Sequence, residues 1–175
     1  MEKIILGRND IQQYVEMHMP VKKITNIVIH CSATKVGQKV DVDVIDNWHK
    51  SRFLCQPASG RFCGYHFVIP ENGEIQVGRF LNETGAHVAG QNTGKIGICY
   101  CGGLDENGKG KDTRNEAQKN ALLCLLNFLL VYFPDAKIKG HRDYSPDLNG
   151  NGIIEPFEYM KECPCFNAID EYKVI

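Results

Sequence analysis

The chain has 175 residues, 43% hydrophobic and 23% charged, with Lys+Arg 20 against Asp+Glu 21 for a formal charge of −1. That length suits one domain with a sizeable core. The charge balance gives no basic surface for nucleic acid, and no stretch approaches the roughly 18–20 apolar residues of a membrane span.

Met1 to Val21 lacks the basic start and apolar core of a secretory signal, so the chain is expected in the cytoplasm as synthesised. Its eight cysteines are then expected to be reduced. Residues 1–23 read as an N-terminal packing arm, with Ile11, Tyr14 and Val15 in partial helical spacing and Pro20 at the end. Ile24 to His30 follows, centred on the β-branched run Ile27-Val28-Ile29 of a strand buried on both faces. It delivers His30 at its carboxyl end, while Cys31 would point to the opposite face. Asp41 or Asp43 can cap a helix carrying Val44, Ile45, Trp48 and His49.

Gly64 to Ile69 reads as a strand, and Glu71-Asn72-Gly73-Glu74 as a hairpin turn into Glu74–Val77. Lys95–Tyr100 is another strand. Cys99, Cys101 and Cys124 lie in apolar runs and read as small buried hydrophobes. Thr113 or Asn115 starts the longest helix, through about Tyr132, with Ala121, Leu122, Leu125, Leu126, Leu129 and Leu130 among its apolar residues. Lys137-Ile138-Lys139 is a short edge-like strand before His141. A short helix is expected near Pro156 and a last one near Asn167. The fold class is α/β: a mixed central sheet flanked by helices, in a single domain.

His30, His141 and Cys163 end three different segments. Zinc takes imidazole nitrogen and thiolate sulfur, and two histidines plus one cysteine leave the fourth tetrahedral position for water. Six histidines and eight cysteines allow many such triples, so the triple alone is weak. The ordered series Ile29-His30-Cys31-Ser32-Ala33-Thr34, Trp48-His49-Lys50, Gly64-Tyr65-His66-Phe67, Gly85-Ala86-His87, Asn92, Ile96-Gly97-Ile98, Gly140-His141-Arg142-Asp143 and Lys161-Glu162-Cys163-Pro164 is more specific. It resembles the zinc N-acetylmuramoyl-L-alanine amidases, a family that includes phage lysozyme-amidases and peptidoglycan recognition proteins. The resemblance runs from about residue 24 to the end, so 24–175 is the expected amidase domain.

The resemblance implies His30, His141 and Cys163 as zinc ligands, with Cys165 the competing sulfur. It implies Tyr65 and Lys161 as catalytic helpers; His66, pointing to the opposite face of the strand from Tyr65, reads as structural. The implied substrate is the amide between N-acetylmuramic acid and L-alanine of peptidoglycan, cut by an endolysin or cell-wall amidase acting as a monomer. The alternative is a non-catalytic peptidoglycan-binding module, in which the cysteine ligand is often missing. His87 and Asn92, in a Gly-rich loop, read either as a cleft wall that contacts the muropeptide or as loop hydrogen bonding. Trp48 reads as either groove or core.

Relative to the compact phage enzymes, the chain carries an insertion between His141 and Cys163. Its residues 147–158 match a twelve-position EF-hand loop, with Asp147, Asn149, Asn151, Ile153 and Glu158 as calcium ligands and Gly152 at the bend. The other reading is an Asx-turn with a capped helix and no ion.

Overall fold

The computed structural model describes residues 2–175. The opening segment packs onto the rest: Ile5–Leu6 form a strand, β1, and Asp10–Met17 a helix, α1, that buries Ile11, Tyr14 and Val15. Next come β2 (Asn26–Cys31) and the two-residue β3 (Thr34–Lys35). The Asp41 carboxylate caps α2 (Val42–His49), accepting from the N–H groups of Asp43 and Val44 at 3.0 Å. β4 (Phe67–Ile69) turns into β5 (Ile75–Val77) through Gly73, whose φ of +77° suits a residue without a Cβ. β6 (Lys95–Tyr100) and β7 (Gly103–Leu104) precede α3 (Glu116–Tyr132), which Asn115 opens with a capping box to Gln118. β8 (Lys137–Gly140) and α4 (Ala168–Glu171) complete the elements.

Six strands form one sheet in the order β1-β5-β4-β6-β2-β8, and of these only β5 runs against the others. β3 and β7 pair separately. Alternation along the central strands divides the interior in two. Ile27, Ile29, Ile96 and Ile98 join the leucines of α3 and the apolar face of α1. Each leucine so buried is worth about 1.5–3 kcal/mol. On the other face Val28, Val68 and Cys99 meet Val42 and Ile45 of α2, or lie level with them. Cys31 joins the larger core, whereas His30, paired in register with Cys99, falls on the α2 side.

Two expected elements are shorter than their sequence signals. The strand from Gly64 becomes regular only at Phe67, although His66 N–H still donates to Gly97 O and Arg79 N–H to Tyr65 O, both at 2.9 Å. The glycine-rich loop crosses at that point, with Ala86 N–H bonded to Gly64 O at 2.9 Å. The helix expected near Pro156 is a single 3-10 turn, Pro156–Glu158.

Candidate active site

Parallel strands present their carboxyl ends on one edge, and a site forms there. Ile29 pairs with Gly140, so the next residues of β2 and β8, His30 and His141, emerge side by side. His30 Nδ1 lies 3.1 Å from His141 Nδ1 and 3.8 Å from Cys163 Sγ. All three ligand atoms lie within 4.8 Å of one another. Zinc bonds of about 2.0–2.1 Å to nitrogen and 2.3 Å to sulfur, set tetrahedrally, need separations of about 3.3 and 3.6 Å. The two separations from His30 are close to these values, and the outer bound of 4.8 Å leaves a small inward shift for the remaining pair on binding.

Several contacts hold Cys163 against the sheet. Arg142 N–H donates to Cys163 O at 2.8 Å, Tyr100 O–H to Pro164 O at 2.7 Å, and Cys31 N–H to Cys163 Sγ at 3.2 Å. Pro164 follows a cis peptide and packs over Gly140, where a Cβ would come within 2.5 Å of its Cδ. Cys165 turns away: its Sγ donates to Gly103 O at 3.2 Å and lies 3.8 Å from Cys31 Sγ, toward the larger core.

Burial holds His30 and His87 well below the ordinary imidazole range. Burial, with repulsion from Lys161, brings His141 down to about 4. Neutral imidazole is the ligating form.

A cleft of about 650 Å³ opens over His141 and Cys163, and Trp48, Tyr65, His87, Asn92 and Lys161 all line it. Trp48 is 44% exposed, so this helix-face tryptophan belongs to the groove. The Tyr65 ring centre stands 5.1 Å from that of His30, and burial keeps its phenol well above the ordinary pKa, leaving it an O–H donor. Lys161 is exposed at the rim. Asn92 turns its oxygen inward, accepting from His87 and Val88 N–H at 2.8 Å, which fixes the loop. His66 is spent on structure, its ring bonded to Glu83 O and Gly97 N–H at 2.9 Å.

Arg52, Phe53 and Tyr144 also line the cleft and were not singled out above. Arg52 and Phe53 lie one helical turn beyond Trp48 and His49, so continuing that period past the helix end would have found them.

The 147–158 loop closes on itself. The Asp147 carboxylate accepts from the N–H groups of Gly150, Asn151 and Gly152. Glu158, 3% exposed, accepts from Leu148, Asn149 and Glu155. Asn149 and Asn151 donate to Glu155, and the Ile153 side chain is exposed. The oxygens expected to face calcium thus hold the loop's own amides. Among the described residues, His30, His141 and Cys163 form the one group of three or more His, Cys, Asp or Glu side chains within reach of a single ion. The calcium expectation gains no support from this arrangement.

Comparison with known proteins agrees with the geometry. Residues 20–165 match the family described as N-acetylmuramoyl-L-alanine amidase. The endolysin of Escherichia phage T7 is 34% identical over 141 residues, which span 81% of this chain and 80% of that protein. Among solved structures, the N-acetylmuramoyl-L-alanine amidase LysC from Clostridium intestinale superposes with a TM-score of 0.62 at 25% identity, over 86% of this chain and 82% of its own. Drosophila peptidoglycan recognition protein SD shares the fold, with a TM-score of 0.61 at 19% identity over 89% and 83% of the two chains.

Proposed function

We propose, since the chain belongs to the N-acetylmuramoyl-L-alanine amidase family, that it uses zinc to hydrolyse the amide between N-acetylmuramic acid and the first L-alanine of peptidoglycan. The observation that carries this reading is the placement of His30, His141 and Cys163 beneath an open cleft, with Cys165 directed elsewhere. Three protein donors with an accessible fourth position suit a catalytic zinc rather than a closed structural one. Bound there, zinc supplies a Lewis acid and lowers the pKa of its water to about 7.

The chain's own groups would do the rest. Lys161 brings a cation to the cleft where negative charge develops on the scissile carbonyl oxygen. Tyr65 donates its hydroxyl hydrogen to the reacting oxygen. Trp48 and the loop of His87 and Asn92 form walls along which a muropeptide can lie. The phage relatives support an endolysin role, in which the chain reaches the cell wall after release by a separate lysis factor. No helix among the described residues is long and apolar enough to cross a membrane.

The test is zinc content together with digestion of purified peptidoglycan. About one zinc per chain is expected, as is release of muropeptides with new L-alanine amino termini, lost with a chelator and restored by zinc. Zinc-loaded protein that binds peptidoglycan and releases nothing would instead be a recognition module.

Millimolar calcium added to the zinc-loaded protein tests the 147–158 loop, whose carboxylates accept the loop's own amides and keep further lone pairs: an unchanged thermal midpoint would leave it a self-bonded turn. A rise of several degrees would seat an ion in the loop.

A further inference from the structure

We propose that His87 is a positioning residue, which accepts a hydrogen bond from His30 and thereby fixes the tautomer and ring orientation of that zinc ligand. The inference rests on the zinc reading above and replaces the muropeptide contact expected of His87. His30 directs Nδ1 at His141 and Cys163, while its Nε2 lies 3.0 Å from His87 Nδ1. A neutral imidazole that ligates through Nδ1 must carry its proton on Nε2. His30 is then the donor and His87 Nδ1 the acceptor. Such a partner on the far nitrogen of a ligating histidine sets its orientation and its basicity.

The surroundings are shaped for this contact. The two rings meet edge to face, at 83° with centres 4.9 Å apart. His87 is 8% exposed, which leaves little of it for substrate. A Cβ on Gly97 would come within 2.6 Å of His87 Cδ2, and one on Gly85 would overlap the same ring, so two glycines make its slot. The His87 N–H is anchored on Asn92, 2.8 Å away, so the asparagine that fixes the loop also sets the ring's height over His30. His87 is not itself one of the clustered ligands, because the group within reach of one ion is His30, His141 and Cys163.

The experiment is zinc affinity of the full chain, measured by competition with a chromophoric chelator for wild type, His87→Leu and His87→Gln. The leucine variant is expected to bind zinc about 10–100-fold more weakly. Glutamine, whose oxygen can accept from His30, is expected to stay within about threefold of wild type. A leucine variant with wild-type affinity would overturn the proposal while the zinc reading stood. Wild type without zinc would overturn both. If the leucine variant does not fold, nitrogen NMR of the zinc-loaded wild type decides. His30 is expected to be metallated at Nδ1 and protonated at Nε2, and metallation at Nε2 overturns the assignment.

Discussion

Cys163→Ala is expected to abolish peptidoglycan cleavage and to strip the protein of most of its zinc. A Lewis acid worth several kcal/mol at the transition state, at tenfold per about 1.4 kcal/mol, corresponds to a loss of about 10³-fold or more. The variant keeps His30 and His141 but loses the sulfur that stands 3.8 Å from His30 Nδ1. Cys165 offers no rescue, since its thiol is bonded to Gly103 O on the other side of β2. Cys163 is only half-buried, and Arg142 still bonds to its backbone carbonyl, so the fold should survive. Metal analysis, circular dichroism and muropeptide release on one preparation make the check. Full zinc and full activity in the variant would remove Cys163 from the site.

Lys161→Ala and Tyr65→Phe are expected to behave differently. Each should lower turnover by about 10²–10³-fold, the usual cost of removing one group that meets developing charge, while bound zinc stays at the wild-type level. Lys161 is exposed, so its loss should leave the thermal midpoint alone. Its charge nonetheless reaches the metal donors, since it helps to hold down the protonation of both His30 and His141. Tyr65→Phe keeps the ring beside His30 and removes only the hydroxyl. The contrast between zinc content and turnover separates a ligand from a group acting on substrate. Unchanged turnover in Lys161→Ala would make it an ordinary surface lysine.

What the sequence made legible follows the range of the interactions concerned. The β-branched centre of β2, the Asn-Gly hairpin and the Asn115 start of α3 are local signals, and the structure has all three. β1 carried no such signal. It has two residues, and they pair with Ile75 and Gln76, far along the chain. The helix start at Pro156 was legible, but not its reduction to one 3-10 turn, because Glu158 turns back to loop amides up to ten residues earlier. His30, His141 and Cys163 were singled out by the ends of their segments and by family resemblance, and the structure brings them together. The part played by His87 could not be read that way. It depends on which nitrogen of His30 faces the cluster, a matter of ring rotation rather than of residue order.

The bond between Arg142 N–H and Cys163 O, with Pro164 seated on Gly140, fastens the two ends of everything between them. That stretch is a closed circuit anchored at its base, so its length is uncoupled from the spacing of the metal donors. Doubling such a loop costs only about 0.6 kcal/mol in closure entropy. The exposed tip near Gly150 is therefore the place to graft a wall-binding peptide or a reporter onto this protein while the geometry at His141 and Cys163 stays as it is.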